Sequence, residues 1–83
     1  MVHVYILQSK TTHRYYVGST KDVEKRLKEH NAGRSSSTRS GVPWELAWVE
    51  TYNTRGEAML REKQIKSRGA ARYLKSVTVA QLG

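Results

Sequence analysis

The sequence predicts a small α+β domain, an antiparallel three-stranded sheet flanked by helices in the order β-β-α-β-α-α. Three observations carry that prediction. Two short runs dense in β-branched and aromatic residues, HVYILQS (3–9) and RYYVG (14–18), are separated only by the polar KTTH. A third such run, WELAWVETY (44–52), follows the one proline, Pro43. The segments between and after these runs carry the capping residues and glycine stops of helices.

The first two runs form a hairpin around a short, irregular turn, with Gly18 ending the second strand. Ser19 or Thr20 caps a helix that begins near Lys21, with Asp22 and Glu24 in its first turn, where the dipole favours acids. That helix stops at Gly33, and its apolar content is a single i, i+4 pair, Val23 and Leu27. Gly33 to Gly41, GRSSSTRSG, is the one biased segment and reads as a loop. In the third strand, alternation places Trp44, Leu46 and Trp48 on one face and Glu45, Ala47 and Val49 on the other. Thr54-Arg55-Gly56-Glu57 has the spacing of a capping box, so a second helix starts there. It carries Ala58, Met59, Leu60 and Ile65 and ends near Ser67 or Arg68, before Gly69. A short third helix through Tyr73 and Leu74 follows, and VTVAQLG (77–83) reads as a frayed tail. Residues 1–83 thus make one domain, near the lower size limit at which a core sustains a fold.

Charge is the strongest compositional signal. Fifteen Lys and Arg against seven acids give a net charge of +8. A basic domain this small suits phosphate polyanions, which points to nucleic acid. The cations are spread along the chain, not along one amphipathic helix, which argues against a membrane surface. No apolar run approaches the ~18 residues of a membrane span. There is no Cys, so disulfides and thiolate zinc sites are absent, and the expected location is the cytoplasm.

Metal-assisted phosphodiester cleavage needs a group to position or deprotonate water, a cation to stabilise developing charge, and a carboxylate to anchor the metal. Tyr5 and Tyr16 sit on neighbouring arms of the hairpin, in reach of a shared face. Gly18 allows close approach to the backbone. Arg26 and His30 are i and i+4 on the first helix and point the same way. Glu62 lies on the apolar stripe of the second helix, with Ala58, Met59 and Ile65 as neighbours, and a carboxylate there is paired or functional.

Taken as an ordered set, these residues resemble the GIY-YIG nuclease family. His3-Val4-Tyr5 matches the family's first tripeptide and Tyr16-Val17-Gly18 its second. KDVEKRLKEHN (21–31) is similar to its arginine helix, and REKQIK (61–66) to its glutamate segment. The likeness spans roughly residues 1–75 and is nearest to small stand-alone bacterial members, related to the N-terminal nuclease domain found in excinuclease ABC. The resemblance implies a Mg²⁺- or Mn²⁺-dependent endonuclease acting on DNA, or on RNA, with specificity for branched, nicked or flapped structure or supplied by a protein partner. It makes Tyr5 the group that orients or deprotonates water and Tyr16 a donor to water or phosphate. Arg26 becomes the phosphate clamp, His30 a proton shuttle and Glu62 the metal ligand. Gly18, Lys21, Arg34 and Arg39 complete a nucleic-acid surface. Two positions depart from the family pattern: His3 replaces a glycine, and no Asn follows position 53.

Each residue alone has a plainer reading. Tyr5 is a packed strand residue, Arg26 a solvated charge, His30 a dipole-favoured cation, and Glu62 an i+4 partner of Lys66. Tyr15 alternates away from Tyr16 and reads as packing or surface. The alternative for the whole chain is a GIY-YIG domain that binds nucleic acid without hydrolysis, or one that docks on a nucleoprotein partner.

Overall fold

The computed structural model describes residues 1–82, with side chains through Val77. Its elements are β1 (Val2–Ser9), β2 (Tyr15–Thr20), α1 (Val23–Asn31), a 3₁₀ turn (Arg39–Gly41), β3 (Trp44–Tyr52), α2 (Arg55–Arg68) and α3 (Ala70–Leu82). The sheet order is β2-β1-β3, antiparallel throughout, so the N-terminal strand is central and must be apolar on both faces. It is so: Val4, Tyr5, Ile6 and Leu7 are all buried.

The pleat of β1 sorts the core into two clusters. Val2, Val4 and Ile6 point one way, to Val17, Ala58, Ile65 and Tyr73, and bury the inner faces of α2 and α3. Tyr5 and Leu7 point the other way, to Trp44, Tyr16, Val23 and Leu27, beneath α1. A single carboxylate ties the far side of the first cluster together. Glu50 of β3 accepts from Trp48 Nε1 (2.9 Å), the Tyr52 hydroxyl (2.6 Å), Arg61 Nε of α2 (2.8 Å) and the Tyr73 hydroxyl of α3.

Four local expectations are corrected. β2 does not end at Gly18, because the ladder pairs Val4 with Ser19 and His3 with Thr20. The α1 cap is therefore Asp22, whose carboxylate accepts from Lys25 N at 3.1 Å, and not Ser19 or Thr20. The third correction concerns Trp48, which does not share a face with Trp44. The β1–β3 register jumps from Ile6↔Trp48 to Leu7↔Leu46, leaving Ala47 in a bulge that reverses the side-chain alternation. Trp44 consequently packs with Tyr5 and Leu7, and Trp48 with the opposite cluster. Finally, the third helix is not short: α3 runs from Ala70 to Leu82, and Gly83 lies outside the described residues. The capping box at Thr54 forms as expected, its side chain accepting from Glu57 N.

Candidate active site

The hairpin register pairs Tyr5 with Gly18 and Tyr16 with Leu7, which sets the two tyrosines diagonally on the α1 face, ring centroids 6.3 Å apart. Gly18 is the hinge of this arrangement. A Cβ there would stand 2.6 Å from the Tyr5 hydroxyl and 3.2 Å from the Tyr16 ring, so only glycine admits both. The close approach that Gly18 permits is thus, within the chain itself, that of the Tyr5 ring to the backbone.

α1 closes over these rings. His30 is fully buried, with its ring 4.8 Å from that of Tyr16. Its Nε2 lies 3.1 Å from the Tyr5 hydroxyl, and its Nδ1 lies 2.8 Å from Thr38 Oγ1. Burial, reinforced by the charge of Arg26, lowers the His30 pKa below the ordinary 6.5, so the imidazole is neutral at neutral pH. We assign its tautomer from its partners. The Thr38 hydroxyl donates to the Ser35 carbonyl and so accepts from Nδ1–H, which leaves Nε2 free to accept from Tyr5. Burial also raises the Tyr5 pKa above 10, and the neighbouring Arg26 opposes the rise without reversing it. Tyr5 is a neutral phenol whose proton points at a neutral imidazole.

Arg26 stands one turn before His30, half-exposed, at the mouth of this buried pair. Its only ion pair among the described residues is a long one with Glu29, 3.9 Å. Glu62 comes from the other side of the sheet's β2 edge, in a cleft of about 430 Å³ with Ser19, Arg55, Met59, Lys63 and Lys66. It is near enough to Tyr5 for its charge to raise the phenol's pKa. Its carboxylate meets Lys66 Nζ at 2.6 Å, the i+4 pair. Ser19 and Arg55 also line the adjoining cleft that holds Lys21, Lys25 and Arg26, so the two clefts share a wall.

The structure thus gathers Tyr5, Tyr16, Gly18, Arg26 and His30, sets Glu62 beside them and leaves Lys21 on the rim. Arg34 and Arg39 lie elsewhere. Arg34 sits with Lys25 and Lys28 on the outside of α1, and Arg39 is exposed with its Nε bonded to the Gly33 carbonyl at 2.9 Å. Sequence reasoning missed Thr38, Arg55 and Lys66. For Lys66 the signal was present, as the i+4 partner of Glu62. For Thr38 there was none, because its contact depends on how the loop folds back over α1.

A three-stranded antiparallel sheet of this order, with elements in the order β-β-α-β-α-α, is the fold of one nuclease family. The chain belongs to that family: residues 1–74 match the GIY-YIG catalytic domain. Within it the chain is similar to UPF0213 proteins. That of Halobacterium salinarum is 42% identical over 67 residues, covering 80% of this chain and 86% of the relative. That of Staphylococcus saprophyticus is 34% identical over 77 residues, covering 92% and 93%. The solution NMR structure of the UPF0213 protein from Bacillus halodurans aligns with a TM-score of 0.57 at 31% identity, over 95% of this chain and 85% of that one. Among the described residues, no helix is long and apolar enough to cross a membrane.

Proposed function

We propose that this chain is a divalent-metal-dependent endonuclease that hydrolyses DNA phosphodiester bonds. The observation that carries the reading is the Tyr5 hydroxyl 3.1 Å from an unprotonated, buried His30 Nε2, with Arg26 at the mouth. A phenol with a raised pKa is a poor base by itself. It becomes an effective one by relay: Tyr5 Oη accepts a proton from the attacking water while its own proton passes to His30 Nε2. The water oxygen then bonds to phosphorus, and the bond from phosphorus to the leaving sugar oxygen breaks, that oxygen taking a proton from solvent as it departs. Tyr16 orients the water or the scissile phosphate from the neighbouring strand. Arg26 meets the charge gathering on the non-bridging oxygens with a donor fork that stays protonated throughout.

The donor set fits a hard cation. Among the described residues there is no cluster of three or more His, Cys, Asp and Glu, but Mg²⁺ or Mn²⁺ needs only one or two carboxylates and takes the rest from water and substrate phosphate. Glu62 would hold it, exchanging its half-exposed ion pair with Lys66 at little cost. When bound, the metal supplies Lewis-acid stabilisation of the phosphate.

The test is cleavage of labelled duplex and junction oligonucleotides with Mg²⁺ or Mn²⁺. Arg26→Ala should lower the cleavage rate by roughly 10²–10³ while binding persists. Equal rates in the variant would remove the proposed role. Specificity, on this reading, is for nucleic-acid structure or comes from a protein partner. The Glu62–Lys66 ion pair favours one alternative, a non-catalytic nucleic-acid-binding domain, in which that carboxylate is structural. That alternative predicts salt-sensitive binding, no cleavage with either metal, and affinity unchanged in Glu62→Ala.

A further inference from the structure

A groove of about 750 Å³ runs between the β2 edge and the corner where α2 meets α3, and the catalytic reading does not use it. It is lined by Tyr15, Tyr16 and Val17 from the strand, Lys66 and Arg68 from the end of α2, and residues 69–72, ending in Arg72. Three of these residues are cations and none is an acid. Among the described residues neither Arg68 nor Arg72 has a carboxylate partner; Arg68 makes only a 3.3 Å contact with the Ser76 hydroxyl. Unneutralised guanidinium groups around one depression are complementary to a phosphate chain.

Tyr15 sharpens the identity of that chain. It points to the same side of the sheet as Val17, but Val17 is buried and Tyr15 is 36% exposed. The other aromatic rings among the described residues, apart from Tyr52, His3 and the turn residue His13, are engaged in aromatic contacts, and Tyr15 is in none of them. Tyr52 and His3 have hydrogen-bond partners instead. A ring left open beside three cations is a platform for a base, and a base is available for stacking only where the strand is unpaired. A duplex would present phosphates to the cations and nothing to the ring.

The groove is also continuous with the candidate active site. Tyr16 forms its wall on one side and packs against His30 on the other. Lys66 lines both this groove and the Glu62 cleft.

We propose that this groove binds the unpaired nucleotide strand flanking the scissile phosphate, with Tyr15 stacking on a base and Lys66, Arg68 and Arg72 contacting the backbone. The proposal rests on the nuclease reading for the position of the scissile phosphate, but binding is measured separately from cleavage. The experiment is fluorescence anisotropy of the full chain, without metal, on a labelled oligothymidine strand and on a hairpin duplex. Tyr15→Leu should weaken single-strand binding roughly five- to 150-fold, leave duplex affinity unchanged, and be rescued by Tyr15→Trp. The double variant Arg68→Gln/Arg72→Gln should flatten the slope of log affinity against log salt by about 1.4 on the single strand. Thermal melts verify that each variant folds. Single-strand affinity unchanged in Tyr15→Leu, or an equal loss on the duplex, overturns the proposal. Groove-dependent binding with no cleavage under any metal would sustain the groove and remove the nuclease reading. Cleavage indifferent to Tyr15→Leu would do the reverse.

Discussion

In the proposed mechanism, Tyr5 gains its chemistry from neighbours that no tyrosine motif specifies. A buried phenol with a raised pKa is inert toward water at neutral pH unless something accepts its proton, and His30 Nε2 is that acceptor only in the tautomer that Thr38 maintains. Thr38→Val removes the acceptor for Nδ1–H. It should lower the cleavage rate while binding persists, and Thr38→Ser should restore it. The ¹⁵N shifts of the His30 ring provide a readout independent of activity, and an unchanged tautomer in the valine variant would dismiss the role. Because burial lowers the His30 pKa, the acid limb of the rate profile should fall below the ordinary 6.5. Stability responds with the same sign. The folded state binds fewer protons at His30 than the unfolded state does, so stability is lost as pH drops below 6.5. At this scale the sequence was informative where spacing within one element sets geometry: Arg26 and His30 needed only the i+4 rule. Thr38 and the tautomer were illegible, since both depend on a loop whose path its composition does not determine.

At the scale of elements, Glu50 decides how α2 and α3 sit on the sheet, and therefore where Glu62 and the Arg68–Arg72 corner lie. Burial alone would raise its pKa, but hydrogen bonds from Arg61, Tyr52, Tyr73 and Trp48 outweigh it and hold the carboxyl at about 2 against an unfolded value of 4.5. That depression contributes stability at neutral pH, up to about 3 kcal/mol. The contribution is complete above pH 4.5 and disappears as pH falls toward 2. Glu50→Gln should cost roughly 3–5 kcal/mol in denaturant unfolding at pH 7, because Arg61 is left without its partner, and should flatten the acid limb of stability. A cost below ~1 kcal/mol would show that this hub is dispensable. The sequence made α2 legible from Thr54 to Arg68, because its cap and its glycine stop are local signals. It misled at β3 for an equally physical reason: strict alternation assumes an uninterrupted ladder, and the bulge at Ala47 turns Trp48 to the other face. The α1 cap shifted to Asp22 because pairing with β1 held Ser19 and Thr20 in the strand.

At the scale of the whole molecule, the residues of the proposed site lie along a single edge. The β2 side holds the Tyr5–His30 pair, the Glu62 cleft and the basic groove in sequence, and they share Tyr16, Ser19, Arg55 and Lys66 as common walls. With a net charge of +8, association with nucleic acid should weaken steeply as salt rises, and affinity constant between 50 and 200 mM salt would contradict an electrostatic interface. The order of elements and the family were legible because the two tripeptides, the arginine helix and the glutamate segment stand in order along the chain. The groove was not, since Arg68 and Arg72 straddle a glycine break and meet Tyr15 only through the packing of α2 and α3 on the sheet. On the proposed function, this edge cleaves phosphodiester bonds. The most direct test is nicking of supercoiled plasmid and of a branched DNA junction by wild type and Glu62→Ala, with and without Mg²⁺ or Mn²⁺. Metal-dependent nicking by the wild type, absent in Glu62→Ala, is the predicted result. Binding of both DNAs by both proteins, with no cleavage in any metal, would contradict it.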